Sequence, residues 1–154
     1  MFFKKKKVMR AFVTGTSIPL SDVHDEVFST GVMGEGMAIE PKDELIVSPI
    51  DGRIEAANPK MQHAVGLKMQ DGIEVLLHVG LDTVNLKNEG FKLLVSEGQK
   101  VQAGDPLLHF DRTVISKAGL ADVVMLIVTN PQKYQFIFHT GAEVTSGEEI
   151  GTWH

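Results

Sequence analysis

The 154-residue sequence contains no cysteine. A disulfide framework, a thiol nucleophile and thiolate metal sites are therefore excluded, and any chemistry must rest on other groups. Long apolar runs are also missing. A bilayer span needs roughly 20 residues, and Val123-Val124-Met125-Leu126-Ile127-Val128 falls far short, so no integral membrane segment is expected. The start, Met1-Phe2-Phe3-Lys4-Lys5-Lys6-Lys7, lacks the apolar stretch and small-residue cleavage site of a secretory signal, which points to a cytoplasmic protein. Two phenylalanines beside four lysines could touch anionic lipid, but a solvated terminus is the plainer reading. There is no excess of positive charge either. The formal net charge of -5 argues against nucleic acid and favours a basic protein partner.

What is present describes an ordinary globular domain. The hydrophobic fraction is 43%, the charged fraction 23%, and fifteen glycines suggest frequent turns. The length suits one domain able to bury a core without disulfides or metal. A flexible basic tail over residues 1–12 and a single domain over residues 13–154 are expected. Short apolar segments alternate with glycine, proline and aspartate, as in an antiparallel β-sandwich or barrel. Candidate strands cover residues 36–39, 44–48, 52–57, 64–69, 73–79, 107–110, 123–128 and 134–138. Helix is scarce: residues 113–119 suit a short helix or turn, and residues 22–29 are ambiguous.

A repeat appears late in the chain. Gly98-x-x-Val101-x-x-Gly104-Asp105-x-Leu107 returns as Gly141-x-x-Val144-x-x-Gly147-Glu148-x-Ile150 with identical spacing. Each copy sets two glycines around a valine expected to be buried, the pattern of tight turns at a sheet corner. Duplicated hairpin units follow, an architectural feature.

Asp71-Gly72 between apolar-rich segments predicts a two-residue type I′ hairpin. If Gln70 pairs with Ile73, paired residue numbers sum to 143. Val65 then lies opposite His78, and His63 opposite Gly80. His63 and His78 become diagonal neighbours on one face, with Cα atoms about 7–8 Å apart, within reach of aromatic side chains. A loop one residue longer would reverse the parity and separate them. Gly80 would leave a gap through which another molecule could approach. His24, His109, His139 and His154 have no comparable partner. A pair of structural histidines is the bland alternative. A neutral imidazole is a good nucleophile near neutral pH and can form a covalent intermediate, so the pair suits phosphoryl transfer. A second imidazole can donate a hydrogen bond to the phosphoryl oxygens. The same pair could also bind a metal ion.

Gln62-His63-Ala64-Val65-Gly66-Leu67, then Asp71-Gly72-Ile73-Glu74-Val75-Leu76-Leu77-His78-Val79-Gly80-Leu81-Asp82-Thr83-Val84 and Glu89-Gly90-Phe91, closely resemble the glucose-type IIA family of the bacterial sugar phosphotransferase system. The resemblance extends to Ser48-Pro49-Ile50-Asp51-Gly52, Glu97-Gly98-Gln99-Lys100-Val101, Asp105-Pro106-Leu107-Leu108 and Ile127-Val128-Thr129-Asn130. It implies an antiparallel β-sandwich in which His78 takes a phosphoryl group from the carrier HPr and passes it to a cysteine on a IIB domain. His63 matches the family's second active-site histidine. The absence of cysteine and of spans suits a IIA component standing alone, with no cofactor or metal.

By the same resemblance, Asp25, Val27, Phe28, Val32 and Met33 belong to an apolar rim around the active histidine, where partners dock and water is excluded. Leu76, Gly80, Asp82 and Val84 join that partner-binding surface, Asp82 matching an active-site aspartate. Read without the family, Val27 and Phe28 are core residues, and an Asp before Thr is ordinary turn chemistry. Three positions depart from the family pattern. Met61 replaces a threonine two residues before His63, Val124-Met125 replaces Thr-Pro, and Asn88 stands where glycine is usual.

Two other classes compete. His78-Val79-Gly80-Leu81-Asp82 spells H-x-x-x-D, and Leu107-Leu108-His109-Phe110-Asp111 resembles the H-x-H segment of lysostaphin-type zinc peptidases, although that motif needs a histidine where Leu107 stands. The glycine-valine-glycine repeats also look like a lipoyl- or biotinyl-type carrier, whose modified lysine would sit at a hairpin tip; here the tip is Asp71-Gly72. A regulatory module, docking other proteins and switched by phosphorylation, is a further expectation.

Overall fold

The computed structural model describes residues 7–131 and 134–154. Among them fourteen strands run β1 Val8–Arg10, β2 Gly15–Pro19, β3 Glu35–Pro41, β4 Leu45–Val47, β5 Gly52–Ala56, β6 Ala64–Lys68, β7 Glu74–Val79, β8 Phe91–Leu93, β9 Lys100–Val101, β10 Pro106–Phe110, β11 Val124–Val128, β12 Phe136–Phe138, β13 Glu143–Val144 and β14 Glu149–Trp153. All their pairings are antiparallel. The main sheet has eight strands in the order β13-β2-β3-β11-β7-β6-β5-β9, and two three-stranded sheets, β1-β14-β12 and β4-β10-β8, complete a β-sandwich.

Every expected strand is present within a residue or two of its bounds. Six were not foreseen: β1, β2, β8, β9, β13 and β14. Two of these have only two residues, and β2 and β14 carry glycine and polar residues that hide their apolar alternation. β1 lies inside the stretch expected to be a flexible tail. Residues 1–6 fall outside the described residues, but Val8–Arg10 pairs with β14 and Met9, Ala11 and Phe12 are fully buried. The tail boundary at residue 12 is therefore set too far along the chain: lysines dominate the composition there and mask an apolar strand behind them.

The repeat marks two equivalent turns rather than the duplicated hairpin units expected, because β9 and β10, like β13 and β14, lie in different sheets and do not pair with each other. Val101 pairs with Gly52 at one edge of the main sheet, and Val144 pairs with Gly15 at the other. The backbone bonds match in kind: Gly98 N–H donates to Ile54 and Gly141 N–H to Ser17, while Gly104 N–H donates to Ser48 and Gly147 N–H to Ala11. All four repeat glycines have φ between 85° and 94°, the left-handed region that a side chain resists. After each copy the chain enters a three-stranded sheet, as β10 or β14. One core, including Met9, Phe12, Ile39, Leu67, Leu77, Phe110 and Ile150, fills the space between the layers.

Among the described residues helix is confined to short pieces. Residues 22–29, ambiguous in sequence, become a 3-10 turn at Leu20–Asp22 and a one-turn helix α1 at Glu26–Ser29, capped by the Asp25 carboxylate accepting from Val27 N–H at 2.9 Å. The second expected piece forms helix α2, Arg112–Lys117, with Asp111 accepting from Thr113 and Val114 N–H groups. A second hydrophobic cluster of Leu20, Val23, Phe28, Ala38, Leu81, Val123, Met125 and Ile127 packs beneath α1 on the outer face of the main sheet.

Candidate functional site

The β6–β7 hairpin positions the histidines, but by a different register from the one expected. Ala64 pairs with His78, Val65 with Leu77 and Lys68 with Glu74, so paired numbers sum to 142. The loop is longer by one residue. Met69 N–H donates to Ile73 at 2.9 Å, Gly72 N–H donates back to Met69 at 2.9 Å, and only Gly72 of the tip has positive φ, at 92°. A type I′ turn needs positive φ at both central residues. Asp71 instead accepts from the N–H of Ile73 at 3.3 Å, an Asx-type turn. Its other carboxylate oxygen meets Trp153 Nε1 at 3.4 Å and Lys7 Nζ at 3.6 Å.

With that register, strict alternation would place the two histidines on opposite faces. The rings nevertheless meet, edge to face, with centroids 4.9 Å apart. His63 lies one residue before β6 begins, at the end of the sheet, where alternation no longer governs side-chain direction. Its carbonyl accepts from Val79 N–H at 2.8 Å, and its ring lies edge-on to Phe91 of the core, centroids 6.4 Å apart. His78 points to the outer face, with Ala64 and Met125 as its direct strand neighbours. Phe28 of α1 covers it at a centroid distance of 5.0 Å.

This setting keeps His78 neutral. Burial lowers its pKa to about 4 from an ordinary value of 6.5, and the neighbouring His63 pushes in the same direction. The backbone of Gly80 and the carboxylate of Asp25 oppose the shift without cancelling it. Nδ1 of His78 is buried and makes no hydrogen bond of ordinary geometry, the approach of the Gly80 backbone being too loose to count as one, which leaves Nε2 as the ring nitrogen for chemistry. Burial also lowers the pKa of His63.

The expected rim divides. Val27, Val32 and Val84 are exposed, whereas Phe28 is buried at 7% exposure beside partly buried Met33 and Leu76. Phe28 thus belongs to the second core as well as to the site. Gly80 is not an open gap. It is buried with φ at 81°, and a Cβ there would lie 2.3 Å from the Thr83 methyl and 2.9 Å from the Ala121 carbonyl. Its role is to turn the backbone in a crowded corner, where Thr83 also bonds back to Val79 through its hydroxyl. Asp82 is exposed at φ 59°, caps the Thr83–Leu86 turn by position without a side-chain bond, and Asp25 is the carboxylate that acts on His78.

Sequence reasoning missed the support beneath His63. Gln62 N–H donates to Asn88 Oδ1 at 2.9 Å, and Gln62 Oε1 accepts from Leu93 N–H at 3.0 Å. The only signal was that Asn88 departs from a family glycine. Met61, the other departure, is 48% exposed and offers the pair no hydrogen bond. Among the described residues no group of three or more histidines and carboxylates is arranged to hold a metal ion. His109 sits on β10 in a separate sheet, opposite Leu45 and Lys92, so the H-x-H resemblance brings no ligand to His78. No described helix is long and apolar enough to cross a membrane.

Residues 7–134 match the family model described as phosphoenolpyruvate-dependent sugar phosphotransferase system, EIIA 1. The chain is 42% identical over 135 residues to a glucose-specific EIIA component of Staphylococcus aureus, covering 84% of this chain and 81% of the relative. It is 40% identical over 144 residues to a glucoside-specific EIICBA component of Staphylococcus carnosus, covering 93% of this chain but only 20% of that much longer protein. A beta-glucoside-specific EIIBCA component of Bacillus subtilis is 42% identical, over 85% of this chain and 21% of its own length. The chain thus spans about a fifth of the length of these two relatives. Among solved structures, the glucose permease IIA of Mycoplasma capricolum superposes with a TM-score of 0.84 at 35% identity, over 98% of this chain and 97% of the other.

Proposed function

Because the chain belongs to the EIIA 1 family of the phosphoenolpyruvate-dependent sugar phosphotransferase system, we propose that it carries phosphate on His78, accepting it from phospho-HPr and passing it to a cysteine of a IIB domain. The observation that carries this reading is the ring pair: His78, neutral and covered by Phe28, faces His63 at 4.9 Å.

Each part of the geometry has a chemical use. With a pKa near 4, the His78 ring keeps its lone pair free at neutral pH and needs no base to activate it. Nε2 attacks phosphorus; the new P–N bond forms as the bond to the donor breaks and its electron pair leaves with the donor. In the second step the thiolate of IIB attacks phosphorus, and the P–N pair returns to Nε2. His63, also kept neutral by burial, has one N–H to offer the phosphoryl oxygens as charge develops on them. The exposed Val27, Val32 and Val84 form the docking rim, and their burial under a partner excludes water from the transfer.

The IIB partner is supported by relatives named EIICBA and EIIBCA, in which an A part shares one polypeptide with B and C parts. An acceptor on such a B domain must reach the A domain. The chemistry suits a cytoplasmic protein that also docks regulated proteins in a phosphorylation-dependent way.

The test is reconstitution with phosphoenolpyruvate, enzyme I and HPr, followed by rapid quenching. Wild-type protein should gain an acid-labile phosphate on His78, and His63→Ala should gain it about 10²–10³ times more slowly, the usual loss when one oxyanion donor is removed. Label on another residue, or wild-type rates for His63→Ala, would contradict the assignment.

A further inference from the structure

We propose that Asn88 is a positioning residue for the transfer reaction, clamping the loop that delivers His63 to His78. The proposal rests on the reading of His63 as the group that binds the phosphoryl oxygens. Among the described residues nothing hydrogen-bonds the His63 ring, so its placement depends on packing against Phe91 and on its own backbone. That backbone is fixed at two points. On one side its carbonyl accepts from Val79 N–H at 2.8 Å, one residue beyond His78.

On the other side the preceding loop is held by Asn88. Its Oδ1 accepts from Gln62 N–H at 2.9 Å, while its Nδ2 reaches the Pro59 carbonyl at 3.4 Å. Gln62 adds bonds from Nε2 to Pro59 at 3.0 Å and from Leu93 N–H to its Oε1 at 3.0 Å. Asn88 can do this because it adopts a φ of 71° between Lys87 at 51° and Gly90 at 83°. Asparagine tolerates this left-handed conformation better than most residues. The Asn88 carbonyl also accepts from Phe91 N–H at 3.1 Å. A single turn therefore holds both the residue before His63 and the ring that His63 packs on.

Misplacing a group by about 1 Å can cost 10²-fold in rate even when the change lies away from the chemistry. Replacing Asn88 by glycine suits the positive φ and removes only the amide. The expected result for Asn88→Gly is transfer slowed about 10-fold, with His78 still labelled to completion. Asn88→Asp keeps the acceptor for Gln62 N–H and should run nearer to wild type than Asn88→Gly.

The deciding readout is a double-mutant cycle. If Asn88 acts through His63, adding Asn88→Gly to His63→Ala should slow transfer no further, whereas a purely structural role would slow it equally in both backgrounds. Equal slowing in both backgrounds, a wild-type rate for Asn88→Gly, or an Asn88→Asp protein no faster than Asn88→Gly would each overturn the proposal while leaving the His63 role intact. A wild-type rate for His63→Ala would instead remove the role itself, and the clamp with it.

Discussion

Strand β7 carries two different environments on its two faces. Val75, Leu77 and Val79 point inward to the large core and are essentially inaccessible, while Leu76 and His78 point outward and remain partly exposed beneath a one-turn helix. The inward residues bury apolar surface, and a packed interior responds to the loss of even a few methyl groups. The outward histidine contributes little to that packing and carries a buried nitrogen without a partner, an arrangement that costs stability. Alternation along one strand thus lets the core hold the His78 ring in place without enclosing it.

Exchanging substitutions between the two faces should break the molecule in opposite ways. His78→Ala is expected to abolish phosphate acceptance while changing stability by about 1 kcal/mol or less, because it removes the unpartnered nitrogen along with the ring. Leu77→Ala, one residue away, should cost about 2–5 kcal/mol of stability, yet the folded fraction should still label. Denaturant titration beside a phosphorylation assay separates the two outcomes.

The next contrast lies within the outer face. Val27 is 53% exposed whereas Phe28 beside it is 7% exposed and packs on His78. Val27→Asp should leave the thermal midpoint nearly unchanged and raise the KM for phospho-HPr about tenfold, as for the loss of an interface anchor worth 1–2 kcal/mol. Phe28→Asp should lower the midpoint sharply, because it places an unpaired charge in the second core. A larger KM effect with no loss of stability at Phe28 would reverse this division.

The smallest expected effect is on pH. His78 takes up its proton in the folded state near pH 4 rather than 6.5, so acceptance of phosphate should stay level from pH 7 to about pH 5 and fall only towards pH 4. The unfolded ring binds that proton first. Stability should therefore be fully present above about pH 6.5 and decline as pH falls towards 4, less steeply in His78→Ala. A rate profile with a midpoint at 6.5 would place His78 in water.

Much of this was legible in the sequence because the strongest signals were local. The repeat spacing marked two matching glycine turns, which the structure puts at the two edges of the main sheet, and the apolar runs at 73–79 and 123–128 marked two strands that prove to be central. The histidine pair was legible for a partly wrong reason. Asp71 accepts from Ile73 N–H, lengthening the turn and shifting the register; the rings still meet because His63 stands just outside β6. Such side-chain competition for the backbone leaves no mark in hydrophobic periodicity. Nor do long-range contacts such as Asn88 with Gln62, 26 positions apart, or the split between Val27 and Phe28, which depends on how one helical turn seats on the sheet.

The most direct measurement is nitrogen-15 and phosphorus-31 NMR of the phosphorylated protein, which identifies the ring and the nitrogen bonded to phosphorus. The expected result is a P–N bond at Nε2 of His78 with the His63 ring unmodified; phosphate on Nδ1 of His78, or on His63, would contradict the assignment of the two faces and of the two rings.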